Sequence, residues 1–241
     1  MSFGNKIRNV MHCIQNPISC LRFFSYLNEY NEKSSEKVRF SDLTPRFYDA
    51  TDTTEASRNF YEVLWTTDNI SKNKPKEHID VGSDVKFVGV LSRFVPVTFV
   101  DIRPLEVDFK DLNSKKGTIT ELPFESDSVE SISTLSVVEH IGLGRYGDPI
   151  DPQGSYNACR ELARVLKKGG HLYFSVPIGK KRVCFNAHRI FSVSEILDYF
   201  NDLNLVEFSA IGSDKKFIRN ADTNAYDNCR LGCGMFHFVK K

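Results

Sequence analysis

The sequence predicts an α/β domain, a doubly wound and mostly parallel sheet with an antiparallel pair at its edge, behind a helical N-terminal extension. Three observations carry this reading. Short apolar runs alternate with amphipathic helical stretches from residue 54 onwards. His78–Asp101, HIDVGSDVKFVGVLSRFVPVTFVD, reads as a strand, a tight glycine turn, a short helix and a second strand ending on a carboxylate. Asp101 follows Gly82 by roughly 20 positions, where a doubly wound fold places the acid that grips a ribose diol.

Taken in order, residues 1–30 place Ile7, Val10, Met11, Ile14, Ile18 and Leu21 at helical spacing, with Pro17 dividing them into two short helices. Lys6, Arg8 and Arg22 precede the first acid, Glu29, so this basic start reads as a targeting or membrane-surface segment, or as helices packed on the domain or a second subunit. The last reading is preferred. Residues 31–52 look irregular, and a helix follows over TTEASRNFYEVLW, carrying Phe60, Tyr61 and Trp65. Ser71–Lys76, SKNKPK, reads as a linker. After the glycine turn and Asp101, a third strand is expected over Gly117–Leu122 and a fourth over Ser131–Ser136. The loop Gly142–Gln153 has three glycines and two prolines. A helix over Tyr156–Lys167, stopped by Gly169-Gly170, leads into a fifth strand, His171–Val176. Ser192 with Glu195 opens another helix, and strands near Leu205–Ile211 and Gly234–Val239 pair antiparallel at the sheet edge.

Composition narrows the partners. The 241 residues suit one domain plus a modest extension, divided here as 1–53 and 54–241, and the net charge is +1. That balance gives no support to nucleic-acid binding by bulk electrostatics. No apolar run reaches the ~18 residues of a membrane span. The cysteines are scattered with no secretory signal before them, which suits a reducing, cytoplasmic setting. Cys229, Cys233 and His237 have a loosely metal-like spacing but supply only three ligands, so they read as core cysteines and an edge-strand histidine, with no metal expected.

The motif series, DVGS, Asp101, the segment Gly117–Phe124 with its LPF, SVVEHI and RELARVLKKGGHLYFSVP, resembles the class I S-adenosylmethionine (SAM) dependent methyltransferases over about residues 54–240. More narrowly, EHIGLGRYGDPIDPQG followed by FNAHRIFS resembles a methyltransferase-like group labelled only as a domain of unknown function. Bacterial members of that group often sit beside polysaccharide-assembly genes. The resemblance implies a Rossmann-like sheet, SAM as cofactor, and a cofactor-binding set of Asp80, Gly82, Ser83, Asp101, Ile119, Ser136 and Val137. Within it, Gly82 and Ser83 would meet the methionine part, Asp101 the ribose hydroxyls and Ile119 the adenine, with Ser136 and Val137 facing the sulfonium. Two departures stand out. Gly82-Ser83-Asp84 replaces the usual GxG and brings a second carboxylate near the loop, and Thr118 replaces an aspartate that reads the adenine amino group.

Methyl transfer to oxygen needs alignment, exclusion of water and a base. His140 and His188 both follow strands on the carboxyl rim of the sheet, and Glu139 is a further candidate, either as base or as structural acceptor. Arg145, Tyr146, Asp148 and Asp151, with Arg189, form a polar set for holding a hydroxylated or anionic acceptor. No Asn-Pro-Pro-Tyr-like or Pro-Cys segment follows the fourth strand, which argues against nucleic-acid methylation. The expected activity is therefore O-methylation of a sugar, glycan or related small metabolite. The alternatives are a non-catalytic module on the same fold, which the N-terminal helices and thinned glycine loop would suit, and a nicotinamide-dependent oxidoreductase, which lacks a Tyr-x-x-x-Lys pair here.

Overall fold

The computed structural model describes residues 17–35, 37–39, 43 and 56–241. The chain divides into two units, Met1–Glu55 and Ala56–Lys241. In the first, α1 spans Pro17–Lys33 and begins on the proline, where the missing N–H would be unpaired in any case. The earlier half of the predicted helical pattern lies outside the described residues. Among the described residues, no helix is long and apolar enough to cross a membrane.

The second unit is built on an eight-stranded sheet. Its strands are β1 (His78–Val81), β2 (Val97–Asp101), β3 (Leu112–Lys116), β4 (Val129–Leu135), β5 (Leu166–Ile178), β8 (Leu203–Ile211), β9 (Phe217–Ile218) and β10 (Gly232–Lys240), and a separate hairpin pairs β6 (Arg182–Cys184) with β7 (His188–Ile190). The order is β3-β2-β1-β4-β5-β10-β8-β9, parallel from β3 to β5 and antiparallel beyond. The order in which successive strands are laid down reverses between the parallel neighbours β1 and β4, which opens a crevice at their carboxyl ends.

Both faces of the sheet are covered. Helices α2 (Arg58–Asn73) and α3 (Val85–Leu91) put Trp65, Ile70, Phe87, Val88 and Leu91 against Phe99, Tyr173 and Met235. On the other face α4 (Gly154–Val165) and α5 (Val193–Tyr199) bring Ala158, Leu162, Val165 and Ile196 onto Leu172, Phe174 and Phe236. The alternation within β5, Tyr173 to one side and Leu172 and Phe174 to the other, is the strand period at work.

Several expectations are corrected. Gly117–Leu122 is a turn with a single Thr118–Glu121 bridge, and the third strand is the polar Leu112–Lys116, whose hydrophilic residues hide it from a search for apolar runs. The helix α2 runs three residues into the expected linker before Lys74 closes it in the left-handed conformation. Gly169-Gly170 does not stop α4, which ends at Val165. The two glycines form a bulge in β5 where a Cβ on Gly170 would stand 2.8 Å from the Lys167 carbonyl and 2.9 Å from that of Val129. His237 is not on an edge strand, because β10 inserts between β5 and β8. The capping of α5 holds as expected, with Ser192 Oγ accepting from the Glu195 N–H at 3.1 Å.

The sheet centre contains ionisable groups that make stability depend on pH. His78 is fully buried between Ser131 Oγ at 2.7 Å and Ser133 Oγ at 2.8 Å, and burial drives its pKa down to about 3. An unfolded His78 takes up a proton below pH 6.5 that the fold refuses, so its contribution is lost as the pH falls. The neighbouring Asp80, pushed up to about 6 by burial, acts in the opposite sense. Replacing His78 by Gln isolates the first effect. The stability difference between variant and parent should move by about 2 kcal/mol in the variant's favour between pH 7 and pH 5, read from urea midpoints. A constant difference would show that His78 titrates normally.

Candidate active site

The glycine turn after β1 shapes one end of the site. Gly82 has φ +72°, and a Cβ there would lie 3.1 Å from the Val137 side chain, so glycine is required twice over. Asp80 and Ser83 do not reach the cavity. Asp80 accepts from the Ser83 N–H at 3.1 Å, from Ser83 Oγ at 2.8 Å and from Ser133 Oγ at 2.5 Å, while Ser83 Oγ also accepts from the Leu135 N–H at 3.0 Å. Both residues brace the turn from behind. Asp84 is likewise occupied, because it caps α3 by accepting from the Lys86 N–H at 2.8 Å and takes no part in the cavity wall.

A cavity of about 370 Å³ opens beside this turn, in the range of small-molecule sites. Gly82, Asp101, Ile119, Ser136, Val137 and His140 line it. Asp101 closes β2; its Oδ1 accepts from the Arg103 N–H at 2.7 Å, and among the described residues nothing bonds the other oxygen. Ile119 is buried in the turn that replaced the expected strand, and Thr118 Oγ1 lies 3.0 Å from Thr120 Oγ1. Ser136, at φ +55°, carries the chain out of β4.

The loop from Gly142 forms the facing wall through Tyr146, Asp148 and Asp151. Its carboxylates hold the loop together. Asp148 accepts from the N–H groups of Gly142 at 2.6 Å and Tyr146 at 3.2 Å, and Asp151 accepts from that of Gln153 at 2.8 Å. Tyr146 lines the cavity with its ring 5.5 Å from that of His140, and the Arg145 and Arg103 guanidinium carbons lie 5.1 and 5.7 Å from its centre. Arg189 is not on the cavity. It is buried, donates to Ser155 Oγ at 3.0 Å and to the carbonyls of Ile141 and Asp151, and so pins the loop from beneath.

The two rim histidines separate. His140 lies on the cavity wall and His188 does not, although their rings are 6.5 Å apart. His140 Nδ1 is 2.6 Å from the Ala187 carbonyl, an acceptor only, so Nδ1 carries the proton and Nε2 is left with its lone pair. Burial lowers the pKa of His140, against that hydrogen bond and with the help of Arg145 and His188, so the ring is neutral at pH 7. Burial likewise lowers that of His188, reinforced by Arg145, Arg182 and Arg58. Glu139 is almost fully buried, off the cavity wall, and raised well above the usual carboxylate range by burial. Away from the cavity wall, it does not reach an acceptor bound there.

One residue escaped the sequence reading. Glu62, buried on α2, accepts from Ser136 Oγ at 2.8 Å and from Cys233 Sγ at 2.8 Å, linking the helix to the carboxyl ends of β4 and the start of β10. Only its place among apolar helix positions marked it. Burial raises its pKa as well. A Glu62→Ala variant should lose about 1–3 kcal/mol in chemical denaturation, since Ser136 and Cys233 both lose their acceptor. A loss under 0.5 kcal/mol would deny the link any structural weight.

The order of strands and the crevice at the β1–β4 reversal are those of the class I SAM-dependent methyltransferase fold. The N-methyltransferase NodS from Bradyrhizobium japonicum, solved with S-adenosyl-L-homocysteine, is similar at TM-score 0.52 and 13% identity over 76% of this chain and 88% of that one. Geranyl diphosphate C-methyltransferase from Streptomyces coelicolor gives 0.53 and 12% over 75% and 77%, and the [4+2]-cyclase SpnF gives 0.55 and 12% over 79% and 85%. Residues 118–222 match the family described as "Caenorhabditis protein of unknown function, DUF268", a span that takes in the Gly142 loop and both histidines but neither Gly82 nor Asp101. Among curated proteins, none matches this sequence.

Proposed function

We propose that the protein is a SAM-dependent methyltransferase that methylates oxygen of a sugar, glycan or related small metabolite. The observation that carries the cofactor assignment is Asp101, whose carboxylate ends β2 at a cavity wall beside a glycine in the left-handed conformation and tight against Val137. The cavity residues fit an adenosine. Asp101 has an oxygen free for the ribose hydroxyls, Ile119 offers an apolar face to the base, and Asp84, the second carboxylate that seemed to threaten the loop, is bound elsewhere. Thr118 leaves the adenine amino group without a carboxylate reader, which lowers affinity without closing the site.

SAM, when bound, supplies an electrophilic methyl group. The protein's part is to align an acceptor, exclude water and take one proton. His140 suits the last task, being neutral, on the cavity wall, and fixed by Ala187 in the tautomer whose Nε2 accepts. Tyr146, with the Arg103 and Arg145 guanidinium groups near its ring, offers an aromatic wall against which an acceptor can be aligned, and the loop braced by Asp148, Asp151 and Arg189 keeps it there. Reaction at oxygen rather than nitrogen or carbon rests on this neutral histidine, and the sugar or glycan class on the likeness of the EHIGLGRYGDPIDPQG segment to its bacterial relatives.

The experiment is calorimetric titration with SAM, S-adenosylhomocysteine and NAD. Micromolar affinity for the first two, with none for NAD, is expected. If none of the three binds, the protein is a non-catalytic module on this fold.

A further inference from the structure

Beyond the cavity lining, past His140, the His188 ring lies 6.5 Å from that of His140 with Arg58, Arg145 and Arg182 around it, a basic wall that the proposed reaction has not yet used. Two lines of contacts lead to it from the cavity lining. Along the first, Ser136 bonds Glu62, and Glu62 lies one helical turn after Arg58 on α2. Arg58 Nη2 points to the Leu231 carbonyl at 3.5 Å, and Arg182 Nη2 donates to the adjacent Arg230 carbonyl at 2.6 Å, so the two side chains hold consecutive carbonyls of one short segment. Along the second, His140 Nδ1 and Arg145 Nη1 both donate to the Ala187 carbonyl, at 2.6 and 3.0 Å. The β6–β7 hairpin joins the two lines, because its register sets Arg182 opposite Ile190 and Cys184 opposite His188, placing Arg182 and His188 on one face. All three arginines press on the titration of His188 in the same direction.

What this wall lacks is compensation. Among the described residues, the groups bonded to Arg58, Arg145 and Arg182 are backbone carbonyls, and none of the three forms an ion pair. Nearby carboxylates are occupied. Asp148 holds loop N–H groups, Asp227 holds the Val193 N–H and Ser194 at the start of α5, and Glu195 pairs with Lys181. Glu62 and Glu139 lie buried behind the wall with raised pKa values. Three guanidinium groups that all act on one histidine, none of them in an ion pair among the described residues, in a chain of net charge +1 form a local basic site.

We infer that Arg58, Arg145 and Arg182 bind a negatively charged group of the methyl acceptor, a phosphate or carboxylate, so that the molecule spans from this wall to His140. The inference rests on the methyltransferase reading for the word acceptor, but anion binding stands on the arginines alone. Guanidinium forks match planar and tetrahedral oxyanions in a way that neutral hydroxyls do not. A neutral sugar or an amine would leave the wall unpaired. A sugar phosphate or an acidic sugar would satisfy it.

The test uses the full chain and inorganic pyrophosphate as the probe, with acetate in a parallel arm and sodium chloride at matched ionic strength as the control. Saturable binding by calorimetry is expected above the chloride background, and the preferred probe tells phosphate from carboxylate. Arg58→Gln and Arg182→Gln should each weaken binding about tenfold, with Arg182→Lys between them and the parent. Unchanged melting in chloride and SAM affinity within twofold of the parent would show that these variants fold. Binding no stronger than chloride, or equal binding by the Arg58→Gln/Arg182→Gln double variant, would overturn the inference and mark any signal as an adventitious ion only. Failure of the methyltransferase reading is separate, since it appears as absent SAM binding while the arginine-dependent anion binding persists.

Discussion

Asp101→Ala should bind SAM and S-adenosylhomocysteine about 100-fold more weakly than the parent while melting within a few degrees of it. The carboxylate ends a parallel strand, and only one oxygen is engaged, by the Arg103 N–H at 2.7 Å. Its loss therefore removes charge-assisted bonds to a diol, each worth about 1.5–3 kcal/mol, and leaves one turn N–H to be satisfied by water. Asp101 is half-buried rather than enclosed, which limits the effect on folding. The Asp101→Asn variant separates charge from shape, and an intermediate loss is expected there. Equal affinity of parent and Ala variant, measured by calorimetry, would move the ligand away from β2 and with it the whole assignment of the cavity.

Gly142→Ala should cost about 3 kcal/mol or more and disrupt the packing of the loop at Asp151. Gly142 has φ +76°, which alone costs an L residue about 1–2 kcal/mol. A Cβ there would also stand 2.0 Å from the Asp151 carbonyl oxygen, a backbone atom that cannot move without opening the loop. The same residue donates to Asp148 at 2.6 Å and accepts from the Asp151 N–H at 3.0 Å. Gly147→Ala is the control. It shares the positive φ, at +86°, but its Cβ meets nothing within 4 Å. Thermal unfolding should therefore place Gly142→Ala about 6–12 °C below the parent and Gly147→Ala about 2–8 °C below, with the larger shift at Gly142. Equal shifts would mean that the loop yields at Asp151, and that Tyr146 is not held on the cavity wall by this contact.

Both variants test parts of the site that differ in how far the sequence exposed them. The turn at Gly82 and the acid at Asp101 were legible because their chemistry is local: a positive-φ turn needs glycine, and a strand end needs a run of apolar residues before it. The same local rules read α5 from Ser192 and Glu195, and β8 and β10 from their apolar residues. They failed at β3, whose Asn113, Ser114, Lys115 and Lys116 carry no apolar signal and are drawn into the sheet only because β2 offers an open edge. They failed again at Gly169-Gly170, where a pair of glycines serves close approach of β4 and β5 instead of the end of a helix.

The division between the candidate residues has the same cause. Sequence alone determined that this is a doubly wound α/β chain with an acid after its second strand, histidines after its fourth and fifth, and a glycine-rich polar loop between them. It could not sort those residues, because burial and hydrogen bonding depend on partners distant along the chain. Tertiary structure turned Asp80, Ser83 and Arg189 into braces, buried Glu139 behind the wall where desolvation raises its pKa, and placed His140 alone of the two histidines on the cavity. It also set Arg58, Arg145 and Arg182, from three separate parts of the chain, around His188. Periodicity reports which face of an element is apolar. Which polar groups converge is decided by the strand order, and that order emerges only when both faces of the sheet are covered.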